Sequence, residues 1–353
     1  MLPQAVTIAV VPEESPTTSA EWTNYLDALF PRERLATLPT PLEYLPNLTR
    51  HLGGPRIYIK RDDLTGLALG GDKPRKLEYL LADAKRLGAD TVITGGSSQS
   101  NHVRLTGAAC RKLGLRTVAL CTTDEHATNT GNLLLSRILG IEIQFHEVAG
   151  GDHWLLIPLM EAECDRLRSE GSRPYLIPIS GSTTLSCLGY VRCAWELSDQ
   201  FELSAITPTA LYITSGTGSN LAALAVGFSV VERRLRMVGV NVNRAGAEAI
   251  EMAEQWRDET ATLIGVTCDI RLELEGRFVG PGYGEMTTEC AEAIRIFAET
   301  EGIFLDPVYT GKAAAGLIAH IREGRLTVDD TVVFVHTGGI PALFAYSEEL
   351  GVG

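Results

Sequence analysis

The stretch "GGDKPRKLEYLLADAKRLGADTVIT" runs from Gly70 to Thr94, and its two hydrophobic periods decide the fold. Leu77, Leu80, Leu81, Ala84 and Leu87 repeat at the spacing of one helix face. "DTVIT" (90–94) then reads as a short buried strand. Working outward, the same alternation recurs. "RIYIK" (56–60) is a strand before the helix. A polar loop and a helix from about Asn101 to Leu113 follow it, then a strand at 116–121, a helix ending at Gly140 and a strand at 141–148. The second half repeats the style, with strands at 210–214, 236–242 and 331–339 and an apolar helix from about Asn220. Strands alternating with helices signal βαβ crossovers and parallel sheets. The fold class is therefore α/β, doubly wound, with two sheets.

Composition narrows the function. With 45% apolar and 21% charged residues, the chain is an ordinary globular one. A net charge of −13 argues against a nucleic-acid partner, because phosphate backbones need a basic face. No run approaches the length of a spanning helix, so no membrane partner is expected. The N-terminal apolar patch has no basic residue ahead of it, unlike a secretory signal. Residues 1 to about 20 read as a loose extension with a short strand at Val6–Val11. The seven cysteines include no CxxC pair, which suits a reducing cytoplasm and argues against a zinc ribbon or other metal site.

Several stretches could carry chemistry. Pro74 fits the first turn of a helix, which puts Lys73 at its mouth. The helix dipole opposes a cation there, so the lysine gives up its proton more readily, and a neutral amine can form a Schiff base. The plain alternative is a solvated loop lysine. Lys60, Lys76 and Lys85 are chemically equal candidates, the last two in the less distinctive setting of a helix. "SGTGSN" (215–220) follows a buried strand and precedes a helix, which makes either a phosphate cradle or a tight turn. It is neither GxGxxG nor GxxxxGK[ST], so no dinucleotide or nucleoside triphosphate is indicated. Ser100, Asn101 and His102 open a helix and could hold a carboxylate, or simply cap it. Tyr283 lies in the Gly/Pro loop "GRFVGPGYGEM" (276–286). Tyr309 and Thr310 precede an alanine-rich helix, and Thr337 ends a strand. A lysine for a carbonyl, a cradle for a phosphate, donors for a carboxylate and a hydroxyl at a strand end together suit pyridoxal phosphate bound to an amino acid.

These residues carry a resemblance. "GGDKPRKLEYLLADAKRLGADTVITGGSSQSNHVR", "GNLLLSRILG", "GPGYG", "GIFLDPVYTGKAAAGLI" and "HTGGIPALFAY" resemble the D-cysteine desulfhydrase and 1-aminocyclopropane-1-carboxylate (ACC) deaminase family. The likeness runs from about Leu35 to Tyr346. It implies a fold-type II (tryptophan synthase β-like) pyridoxal 5'-phosphate enzyme, with the cofactor between two doubly wound domains. The expected division is an N-terminal extension (1–30), a large domain (31–78 with 191–353) and a small domain (79–190). A homodimer is likewise implied.

By resemblance, Lys73 holds the cofactor and moves the α-proton. Asn101 lies near the cofactor's phenolic oxygen, and Ser100 sits where substrate carboxylate binds, with His102 beside it. Tyr283 and Tyr309 match active-site tyrosines, and Ser215, Gly216, Thr217, Gly218, Ser219 and Asn220 match the phosphate cradle. Thr337 faces the pyridine nitrogen. ACC deaminases resemble "DPVYEGK" and "HLGG", with a glutamate toward that nitrogen, whereas this chain has Thr310 and Thr337. A hydroxyl makes a weaker electron sink, which suits β-elimination. The implied reaction is conversion of a small amino acid, D-cysteine in first place, to pyruvate, sulfide and ammonia. ACC deamination, L-cysteate sulfo-lyase action and, from another class, non-catalytic amino-acid binding are the alternatives. The chain departs from the family pattern at Asp72, where asparagine is common, and at Ser186 and Cys187.

Overall fold

β-Branched and aromatic runs form the strands, and those strands fall into two sheets. The computed structural model describes residues 16–149, 152–243 and 246–351. The larger sheet contains β1 (Leu42–Tyr44), β2 (Arg56–Lys60), β7 (Ala210–Ser215), β8 (Arg236–Asn241), β9 (Leu272–Glu275) and β10 (Thr331–Val335), in the order β1-β2-β10-β7-β8-β9. Only β1 pairs antiparallel. The smaller sheet holds β3 (Thr91–Gly96), β4 (Arg116–Thr122), β5 (Glu142–His146) and β6 (Pro174–Leu176), in the order β5-β4-β3-β6, all parallel.

The central strands β10, β7 and β8 of the larger sheet are buried on both faces, as parallel sheets require. Val333 and Val335 of β10 join α7 (Thr184–Leu203), α8 (Ser219–Val230) and α9 (Ala247–Ile264) in one core. Val332 and Phe334 point the other way, toward α2 (Pro46–Leu52), α10 (Thr288–Glu301) and α11 (Thr310–Arg322). In the smaller sheet Val92 packs with α3 (Lys73–Arg86) and α4 (Asn101–Lys112). Its neighbour Ile93 packs with α6 (Ile157–Ser169). The short α5 (Gly131–Ile138) follows β4. The leucines at 77, 80 and 81 are fully buried, each contributing roughly 2 kcal/mol.

The structure departs from the sequence expectations in places. Val6–Val11 lies outside the described residues. The expected extension through residue 30 instead contains a helix, α1 (Ser19–Leu29), closed by a reciprocal Thr18–Glu21 cap. Trp22 of α1 is buried 6.1 Å, ring to ring, from Trp195 of α7. β3 continues two residues past Thr94, and the strand expected over 331–339 stops at Val335. The expected domain boundaries near 79 and 190 lie on α3 and α7. Those helices meet closely. A Cβ on Gly189 would lie 2.3 Å from the Arg75 carbonyl oxygen, so only glycine permits the approach. None of the described helices is long and apolar enough to cross a membrane.

Candidate active site

Because nearly every strand is parallel, the loops that follow them gather at one edge, where α/β folds place ligands. The loops after β2, β3, β7 and β10 border a single cleft. Its walls include Asp72, Lys73, Asn101, Thr217, Tyr309 and Thr337.

Lys73 stands at the first position of α3, with Pro74 behind it. The turn before it is left-handed at Ala68, Leu69, Gly70 and Gly71. Asp72 N donates to Thr337 O at 3.0 Å, and a Cβ on Gly338 would lie 2.6 Å from Gly71 Cα. The glycines therefore let the β10 loop pass directly against the Lys73 turn. Lys73 Nζ donates to both Asp72 carboxylate oxygens, at 2.8 and 2.7 Å. Asn220 Nδ2 donates to the same carboxylate at 2.8 Å.

Lys76, one turn further on, is the residue that sequence reasoning set aside. It is buried, and among the described residues no carboxylate lies within 4 Å of it. Its ammonium donates to Ser182 Oγ at 3.0 Å and Ser219 Oγ at 2.9 Å. Ser182, Thr217 and Ser219 hydroxyls lie 2.9–3.0 Å from one another. Burial, then the charge of Lys73, pushes the Lys76 pKa down to about 8. Gly218 (φ 79°) delivers the chain into the N-terminus of α8 at the same point. The K-P-R-K spacing was the available signal, since residues i and i+3 share a helix face. The hydroxyls that receive Lys76 come from distant segments.

The α4 entrance is more tightly built than expected. Ser100 Oγ accepts from Val103 N at 3.2 Å, so it caps the helix. Asn101 Oδ1 accepts from Asn132 Nδ2 at 3.0 Å and from the Arg104 guanidinium at 3.3 Å. His102 borders the cleft, but its Nε2 lies 2.8 Å from Thr94 Oγ1. Burial, then the Lys73 and Lys76 charges, holds its pKa well below the ordinary value, so the ring is neutral. Arg104 is also buried, and among the described residues no carboxylate lies within 4 Å of it. It donates to the carbonyls of Ala68 and Gly70, and so ties α4 to the turn before Lys73.

Tyr283 Oη and Tyr309 Oη lie 2.5 Å apart, and burial raises both pKa values. Thr310 turns away from the cleft. Its hydroxyl donates to Asp306 at 2.6 Å and accepts from Asp306 N at 2.8 Å. Thr337 borders the cleft. Ser215 ends β7, while 216–220 line the cleft itself. Of the 180–190 stretch, Ser180 lines the cleft and Ser182 joins the hydroxyl cluster. Ser186 is fully buried in the α7 cap and Cys187 beneath it.

These residues fit pyridoxal phosphate. A buried ammonium, three convergent hydroxyls and a helix N-terminus form a receptor for a phosphate dianion. Among the described residues, Thr214 Oγ1 and Asn220 Oδ1 are buried beside the cleft without a partner, and buried polar groups of that kind call for one.

Comparison with known proteins agrees. The sequence model of a family described as "Pyridoxal-phosphate dependent enzyme" matches residues 34–338. The chain is 43% identical over 322 residues to a D-cysteine desulfhydrase of Salmonella schwarzengrund, covering 90% of this chain and 96% of that one. It is 42% identical over 323 residues to a putative 1-aminocyclopropane-1-carboxylate deaminase of Pyrococcus horikoshii, covering 92% and 96%. The crystal structure of an ACC deaminase homologue superposes with a TM-score of 0.87 at 40% identity, over 96% of this chain and 99% of the other.

Proposed function

This chain belongs to the pyridoxal-phosphate dependent enzymes, and we propose that it converts D-cysteine and water to pyruvate, sulfide and ammonia. It is a fold-type II lyase/deaminase whose cofactor is pyridoxal 5'-phosphate. The observation that carries the reading is the convergence on one cleft of Lys73, the Lys76–hydroxyl cluster and the α4 entrance. The cofactor supplies an aldehyde for an amino group and a conjugated ring that accepts the electron pair left at Cα.

The chain's own residues do the rest. Lys76, Ser182, Thr217 and Ser219, with the 215–220 turn, would hold the phosphate. Asn220, Asn101 and Thr337 would supply polar groups to the rest of the cofactor, Thr337 a hydroxyl for its ring nitrogen. Ser100, Asn101 and the backbone N–H groups through His102 hold the substrate carboxylate. Lys73 Nζ, once released from Asp72, takes the α-proton. The Tyr283–Tyr309 pair hands a proton to the departing thiolate, a role its two protonated hydroxyls permit.

Sulfide release by the cofactor-saturated protein tests the reading, with D-cysteine, L-cysteine and ACC in parallel. Release at least ~100-fold faster from D-cysteine than from L-cysteine is the expected result. A second reading, deamination of ACC, is favoured by the names of the Pyrococcus relative and the crystallographic neighbour. Production of 2-oxobutanoate from ACC without sulfide from D-cysteine would replace the first reading with it.

We also infer a cytoplasmic homodimer, divided into 31–78 with 191–353 and 79–190. Seven free cysteines support the reducing compartment. Sedimentation of the purified protein reads the dimer directly, and a monomer would remove it.

A further inference from the structure

Loop 276–286 carries Tyr283 to Tyr309 at the wall of the cleft, yet Gly276, Gly280, Gly282 and Gly284 give it little stiffness of its own. We propose that Lys312 is a positioning residue that sets Tyr283 against Tyr309, by fastening this loop to the first turn of α11. The proposal rests on the reading of the two tyrosines as the proton-handling pair.

Lys312 is fully buried. Its Nζ donates to Val279 O at 2.6 Å and to Gly282 O at 3.0 Å. Neither carbonyl accepts another hydrogen bond among the described residues. Gly282 immediately precedes Tyr283, so the second bond fixes the peptide from which the tyrosine departs. Tyr309 and Lys312 are three residues apart at the start of α11 and emerge on one side of it. One meets the loop through the Tyr283 hydroxyl and the other through the loop backbone. The two contacts therefore set the same register.

The lysine is not there to close an ion pair. Among the described residues no carboxylate lies within 4 Å of Nζ. Burial lowers its pKa, and the charges of Cys290, Glu285 and Asp306 oppose that only in part. A compact ammonium with three donors suits two convergent carbonyls. Removing it leaves both part-buried carbonyls without their partner. At its entrance the loop is anchored to the same helix, where His320 Nε2 lies 2.8 Å from Glu275 Oε2. Of these two ties between the loop and α11, Lys312 is the nearer to the tyrosine, whose ring also packs 4.7 Å from His153.

The test is a double-mutant cycle in the cofactor-loaded protein, with D-cysteine as the probe. Lys312→Met is expected to lower kcat about 10-fold with little change in KM, and less than about 2-fold once Tyr283 is already Phe. The cofactor's visible absorbance should be retained. Hydrogen exchange of the 276–286 peptide should rise in Lys312→Met while exchange in β7 and β10 stays unchanged. Equal losses in the two backgrounds, or unchanged exchange in the loop, would overturn the proposal. Lys312→Arg keeps the charge but cannot seat both carbonyls at one point, and it gives the same comparison should the methionine variant not fold. If the wild-type protein releases no sulfide, the functional reading fails. The exchange measurement still decides the role of Lys312, because it needs no substrate.

Discussion

Two groups of buried charge lie on either side of α3, and they are built on opposite rules. Behind the helix, Arg75 meets Asp62 through two hydrogen bonds of 2.8 Å and also reaches Glu196. Lys60 pairs with Glu196, and Tyr190 donates to Asp62 at 2.8 Å. Two cations face two carboxylates, so the cluster is closed. In front of the helix, among the described residues, Lys76 donates to hydroxyls and Arg104 to oxygens of carbonyl and amide groups, with no carboxylate within 4 Å of either. Buried charge without a counter-charge is costly. The first cluster holds α3 in place, and the second leaves its positive charge available to an anion. A chain of net charge −13 thereby presents a cationic floor to a phosphate.

The largest test of this contrast lies in the closed cluster. Arg75→Met leaves Asp62 and Glu196 sharing one cation, and unfolding should become easier by about 3–5 kcal/mol, with or without cofactor. Denaturant unfolding measures this, and a loss below about 1 kcal/mol would remove the distinction between the clusters. Lys76→Met should do the reverse. The cofactor-free protein should be as stable as wild type or more so, because an uncompensated charge is gone. Affinity for pyridoxal phosphate should fall about 100- to 1,000-fold, read by equilibrium dialysis. A destabilised protein with unchanged cofactor affinity would place the phosphate elsewhere.

The smallest effect is on pH. Lys76 has its pKa pushed from 10.5 to about 8 in the folded, cofactor-free protein. Between those values the unfolded chain binds the proton and the folded one does not, so stability rises with pH across that window. Below about pH 8 both states hold the proton, and the destabilisation is constant and full. The gain across the window is at most about 3 kcal/mol, and it should vanish in Lys76→Met. A phosphate favours the ammonium, so cofactor affinity should weaken above about pH 8. Thermal melts of the cofactor-free wild type and variant at stepped pH would decide it.

The α/β class and the strands around the cleft were legible because apolar periodicity is local. The place of Lys73 at the mouth of α3 was legible because proline and glycines punctuate its turn. Lys76 was not, since the hydroxyls that give it meaning arrive from Ser182 and Ser219 by tertiary packing. The same holds for Lys312, and for Arg104 apart from its bond to Asn101, because their partners are backbone carbonyls and leave no trace in residue type. The α1 helix was missed for a related reason: Trp22 and Leu26 form too short an apolar pattern to be read without Trp195 beneath them. Thr310 was read by resemblance as standing where ACC deaminases carry a glutamate, and nothing in the sequence signalled that Asp306 captures its hydroxyl.

The most direct test asks which lysine carries the cofactor. The cofactor-loaded protein is reduced with borohydride and digested, and the peptides are mapped for a pyridoxyl group. The account predicts the group on Lys73, within the peptide that begins the α3 helix. A pyridoxyl group on Lys60, Lys76 or Lys85 would contradict it.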